Sequence, residues 1–158
     1  MPNLGRALAA LSLSVAGCTI TTHVDPIPPS TIPSLCIADN PKVYSKQFLP
    51  TMQAQLARRG IATTVYEGTP PAGCTMRIEW EAHWSWDMAL YLEYADIKVY
   101  DGDALVGRAT YDARNAEATF AKFGRGDETL AKLLDQLLRD VNPGAAPAPV
   151  AASRTSSP

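Results

Sequence analysis

The chain of 158 residues is short of the residues that most often do chemistry, with two histidines and three cysteines. Neither histidine lies in an HExxH, and no two cysteines form a CxxC, so the usual zinc spacings are missing. There is no GxGxxG, no P-loop and no GxSxG, which removes the sequence signals for nucleotide use and for a hydrolase nucleophile elbow. Basic and acidic side chains, 14 and 16 of them, are interspersed to a formal net charge of -2. With no Lys/Arg block, the electrostatic footprint of a nucleic-acid binder is lacking. After the first eighteen residues there is no apolar run of about 20 residues, so no later segment reads as a membrane-spanning helix.

What is present begins at the N-terminus. Met1 to Arg6 is a short n-region, Ala7 to Val15 is apolar apart from two serines, and the stretch closes on Val15-Ala16-Gly17-Cys18. The apolar part is too short to span a bilayer and has the layout of a secretory signal. Small residues followed by a cysteine resemble the lipobox of bacterial lipoproteins. The resemblance implies removal of residues 1–17 and diacylation of Cys18, giving a membrane partner through the N-terminal lipid. Threonine at 19, where aspartate would retain the protein at the inner membrane, implies the outer membrane facing the periplasm. An ordinary signal peptide beside a free cysteine is the alternative.

With Cys18 acylated, Cys36 and Cys74 remain as an even pair in an oxidising compartment, and a disulfide is the natural reading. Two reduced, buried thiols are the alternative. Residues 19–33 are rich in Thr and Pro, including Pro26, Pro28, Pro29 and Pro33, and read as an extended tether. A single domain is expected over 34–141. The Ala/Pro/Ser-rich remainder, 142–158, is expected to be disordered.

Within the domain, Leu35–Ala38 reads as a strand. Phe48, Leu49, Met52 and Leu56 lie on one stripe of a helix within 45–59, where Pro50 fits only the first turn. Ile61–Tyr66 is a second strand. From Met76 to Trp86 apolar and polar residues alternate, and 89–100 alternates with a slipped phase that a bulge near Ala95-Asp96 would reconcile. A turn is expected between Trp84 and Met88. Asp101-Gly102 is a hairpin signal leading to Ala104–Asp112, where small Gly107 and Ala109 imply a bulky neighbour. Leu130, Leu133, Leu134, Leu137 and Leu138 stripe a last helix that Asp127 can cap. The order β-α-β-β-β-β-α predicts an α+β two-layer sandwich. Its sheet has about five mostly antiparallel strands, with both helices on one face.

Gly107-Arg108-Ala109-Thr110-Tyr111-Asp112-Ala113-Arg114, Lys122-Phe123 and the acidic, leucine-striped last helix, with the lipobox, resemble the Sbal-type family of small proteobacterial lipoproteins. The resemblance spans roughly residues 15–140. It implies localisation and domain limits, without an activity.

Candidate sites follow from unusual residues. Trp84 and Trp86 fall near a turn at the sheet end, where helix cover runs out, and with Tyr91 they form a candidate contact patch for sugar, peptide or protein. Asp112 and Arg114 are candidates for partner recognition or for a structural join. Glu81, His83 and Ser85 share a strand face and can be written as a nucleophile trio. Side chains two apart on an open sheet sit about 6.5–7 Å apart at their bases and lack an oxyanion hole. Glu79, Glu81, Asp87, Glu93 and Asp96 match no calcium loop. The reading is therefore a lipoprotein acting as a protein-interaction or scaffolding module with an envelope protein partner, and not an enzyme. No catalytic residue, metal or cofactor is assigned. A small-ligand or glycan-binding lipoprotein using the sheet-end aromatics is the alternative, and a hydrolase a distant third.

Overall fold

The computed structural model describes residues 20–116 and 120–144. Cys18 and residues 145–158 lie outside them. The long alternating stretches form β5 (Met76–Asp87) and β6 (Ala89–Asp101), and Ala104–Asp112 forms β7. Three antiparallel strands thus make the middle of a six-stranded sheet. On one side β3 (Ser34–Ala38) pairs parallel with β5, and β4 (Ala62–Tyr66) pairs parallel with β3 at the edge. The helix α1 (Phe48–Arg58) connects β3 to β4, and α2 (Gly126–Leu137) follows β7. The fold is an α+β two-layer sandwich with the element order read from the sequence, enlarged at both ends.

Both helices pack on one face of the sheet. Phe48, Met52 and Leu56 of α1 and Leu130, Leu133, Leu134 and Leu137 of α2 are buried in one core with Ile37, Ile78, Trp80, Ala95, Ile97 and Val99. Pro50 sits in the first turn of α1, where its missing N–H leaves no intrahelical bond unmade. The N-cap position of α2 is Arg125, without a side-chain cap, and Asp127 lies in the first turn with Glu128. There the carboxylates sit favourably against the positive end of the helix dipole. At the far ends of the helices, Arg59 donates to the Leu138 carbonyl and to the Asp135 carboxylate, at 3.2 and 2.6 Å. The helices therefore run side by side in the same direction.

The segment read as a tether is part of the domain. Thr21–Asp25 is a strand, β1, antiparallel to β7 and forming the second edge of the sheet. Ile27 and Ile32, lodged among the prolines, are each 2% exposed. The Ile27 N–H donates to the Leu137 carbonyl and the Ile32 N–H to the Asn142 carbonyl. Ser30–Thr31 (β2) pairs in parallel with Val141–Asn142 (β8), so the chain past 141 is also ordered at its start. The bulky neighbour of Gly107 is now identified. A Cβ there would stand 2.6 Å from Ile27 Cγ1 and 3.1 Å from Leu137 Cδ1. Composition pointed to a linker because four prolines suppress a strand signal, whereas two isolated isoleucines show no period.

The bulges also differ from expectation. His83 pairs with Tyr94 and Trp84 with Leu92, which leaves Glu93 as the extra residue on β6. A second shift leaves Val106 unpaired between Gly107 and Leu105. With the insertion before Tyr94, Leu92 joins the core face and Tyr94 faces the other way. The hairpin turns at Met88, the one non-glycine among the described residues with a positive φ, at 61°.

Cys36 and Cys74 form a disulfide across 38 positions, with their Cα atoms 5.8 Å apart. It ties the Gly/Pro-rich connection after β4 to β3, just before the chain enters β5. In the chain-entropy account, a loop of this length contributes about 3–4 kcal/mol. Urea unfolding of a Cys36→Ser/Cys74→Ser chain is expected to show a stability loss of that order with the fold retained by circular dichroism.

Candidate interaction surface and aromatic cleft

The three tryptophans of β5 point to the helix-covered face at successive distances from its centre, and each meets a different environment. Trp80 is core. Its ring stacks on Phe48 at 4.8 Å and its indole N–H donates to the Ala38 carbonyl at 2.7 Å. Trp84 is half-buried where the helices begin. It meets Phe48 edge to face at 5.7 Å and faces a cleft of about 390 Å³ between the first turns of α1 and α2. Gln47 and Thr51 line one wall, and Arg125, Gly126 and Asp127 the other. Arg125 is held by Asp127 at 2.7 Å, so its charge is largely compensated. The cleft offers an aromatic surface with a polar rim, an arrangement suited to stacking a ring-shaped polar ligand.

Trp86 lies beyond both helices and is 72% exposed. Leu90, paired with it across the hairpin, is 49% exposed, and Met88 at the apex is 87% exposed. Tyr91 does not join them. It is buried beneath a 3-10 turn, Phe120–Phe123, with Phe123 edge-on at 5.9 Å and the Lys122 ammonium 5.1 Å from its ring centre. Lys122 in turn pairs with Asp87 at 2.6 Å, fastening this turn to the hairpin. Trp84, Trp86 and Tyr91 are therefore not one pocket wall but three separate situations. Tyr91 is set apart by the turn at 120–123, whose irregular sequence gave no sign of where it would pack.

Neither α1 nor α2 covers the opposite face of the sheet, where the register sets polar side chains in rungs. Glu79, Lys98, Arg108 and Asp25 make one, Glu81, Asp96, Thr110 and His23 the next, and His83, Tyr94, Asp112 and Thr21 the third. Asp96 is the hub. It is 2% exposed and accepts both Nε and Nη2 of Arg108 at 2.9 Å, with Lys98 at 3.2 Å. Those bonds to Asp96 raise the proton affinity of both Arg108 and Lys98. Asp112 and Arg114 pair with each other. Arg114 donates its backbone N–H and Nε to the Asp112 carboxylate, each at 3.0 Å, and its guanidinium lies 4.6 Å over the Tyr94 ring. The side-chain bond from Arg114 holds the Asp112 carboxyl below the usual carboxylate range. Arg77 repeats the arrangement over Tyr100, also at 4.6 Å.

His83 belongs to this open face, 59% exposed, with Nε2 3.9 Å from the Glu81 carboxylate. That separation exceeds a hydrogen bond, so the trio with Ser85 lacks the acid–histidine contact that activates a nucleophile. Glu79 is committed to Arg77, Asp87 to Lys122 and Asp96 to Arg108 and Lys98. Among the described residues, no group of three or more His, Cys, Asp or Glu side chains is placed to hold a metal ion.

Two substitutions test this face. Asp96→Asn removes a buried anion whose cations are part-exposed and able to recover water, so a loss of about 1–2 kcal/mol is expected by urea unfolding at neutral pH. The Asp112 carboxyl titrates lower when folded, so its stabilisation is complete above the unfolded value near 3.9 and disappears as pH falls through the folded one. The stability gap between the native chain and Asp112→Asn should narrow in that acid window. An equal gap at neutral and acid pH would show that the charge of Asp112 contributes nothing.

No protein-family model and no curated protein matches the sequence. Among solved structures, the fold is similar to that of PelC from Paraburkholderia phytofirmans, determined as a dodecamer of a variant chain. The TM-score is 0.51 at 11% identity, covering 77% of this chain and 96% of that one. At that identity the likeness is one of fold: the same α+β arrangement carried by a different sequence.

Proposed function

We propose that this chain is an outer-membrane lipoprotein of the Sbal-type kind. Acylated Cys18 holds it on the periplasmic side, where it serves as a protein-interaction or scaffolding module for another envelope protein. The observation that carries the interaction reading is the uncovered sheet face. Its arginines are already ordered, Arg108 on Asp96 and Arg114 between Asp112 and Tyr94. Arginine and tyrosine dominate the energetic centres of protein interfaces, and pre-ordered side chains lose little entropy on binding. Likeness to a chain that assembles as a dodecamer supports a role in assemblies.

A second reading rests on the cleft at Trp84, whose concavity and half-buried indole suit a glycan or other small polar ligand. The two readings use different surfaces, and one experiment separates them. A photocrosslinking side chain is placed at Arg114, Tyr94 or Trp84 in intact envelopes, with Gln136 on the exposed side of α2 as control. Discrete protein adducts from 94 and 114, absent from 136, are expected. Adducts from none of the sites, with the chain folded and membrane-bound, would remove the interaction reading and leave the cleft.

A further inference from the structure

The register determines which end of the molecule faces the attachment point of the chain. β1 runs antiparallel to β7, with Thr21 opposite Asp112, and Asp112 is opposite Tyr94 of β6. Going backwards from Thr21 to Ile20, the chain therefore leaves the sheet in the direction of the β5–β6 hairpin tip. Six positions separate Tyr94 from Met88. At about 3.3 Å per residue, less the residue lost to the bulge, the apex stands roughly 17 Å beyond the level of Thr21. The three steps from Thr21 to Cys18 span at most about 10 Å. An acyl group on Cys18 would thus place a bilayer surface below the level of the apex, with an overlap of roughly 7 Å for a fully extended chain and more for a shorter reach. That matches the depth of about 5–10 Å to which amphipathic elements enter the headgroup boundary.

The tip is chemically suited to that depth. Trp86 and Leu90 form a cross-strand pair on the face that the helices no longer cover, Met88 caps the turn, and Phe120 on the adjoining 3-10 turn is 88% exposed. The carboxylate at the tip, Asp87, is compensated by Lys122 at 2.6 Å. We infer that the β5–β6 hairpin tip is a second membrane contact, inserting Trp86, Met88 and Leu90 into the headgroup region of the leaflet that carries the Cys18 anchor. Two contacts fix the orientation of the domain, standing the strands across the membrane plane and turning the charged sheet face sideways into the periplasm. This inference rests on the lipoprotein reading.

The test uses the full acylated chain in phosphatidylethanolamine/phosphatidylglycerol vesicles. An environment-sensitive fluorophore is attached through Met88→Cys, through Leu90→Cys as a second site, or through Asp103→Cys at the opposite end. Cys36 and Cys74 are joined and Cys18 is blocked by lipid, so the introduced thiol alone reacts. Blue-shifted emission from 88 and 90, quenched by nitroxide-bearing lipid, with 103 unchanged, is expected; Trp86→Ser should weaken the shift at 88. Water-like emission from 88 and 90 in protein that still floats with vesicles would overturn the inference and leave the anchor standing. Shielding equally strong in detergent-free solution without vesicles would overturn it in favour of a second copy. Mass spectrometry showing Cys18 unmodified would overturn the anchor reading, and this inference with it.

Discussion

The structure depends on a mismatch of lengths. β5 and β6 hold 12 and 13 residues, and at about 3.3 Å per residue they extend roughly 40 Å. α1 and α2 hold 11 and 12 residues, and at 1.5 Å per residue they cover roughly 17 Å of it. Two helices cannot shield a hairpin more than twice as long. At one end the shortfall is met by the N-terminal segment, whose Ile27 wedges between Gly107 and Leu137. At the other end neither α1 nor α2 meets it, and the core face runs out through half-buried Trp84 to exposed Trp86, Met88 and Leu90.

That gradient along a single strand separates roles that the residues alone leave together. Trp80, Trp84 and Trp86 have the same chemistry and the same orientation. What differs is the distance from the helix starts, and with it the amount of apolar surface removed from water. The cleft at Trp84 is the boundary of the shielded zone, where an indole has lost part of its hydration without gaining a full set of protein contacts. Beyond it, the aromatic and aliphatic tip is exposed, at the end of the sheet where β1 begins.

The uncovered face solves another problem. An open sheet exposes one side to water, and here that side is a lattice of opposite charges centred on Asp96. Packing Asp96 beneath Lys98 and Arg108 buries a carboxylate at the middle strand without leaving it uncompensated, as an isolated buried charge would be. The same lattice holds the Arg108 guanidinium against Asp96 through two bonds.

Periodicity by itself determined much of this. Alternation in 76–86 made one face of β5 apolar, the leucine stripe made α2, Asp101-Gly102 closed the β6–β7 hairpin, and the even pair of cysteines left once Cys18 is read as acylated pointed to the Cys36–Cys74 bond. These are local or parity arguments, and they need no knowledge of what lies across the fold. Tertiary structure alone decided that Thr21–Asp25 closes the sheet, that the bulge falls at Glu93 instead of near Ala95-Asp96, that Tyr91 is buried under the 3-10 turn, and that Asp96 is the hub of a face. Each of these depends on which distant segment arrives as neighbour. Pairing of that kind is selected by the free energy of the whole packed arrangement, and leaves no period in the chain from which it could be read.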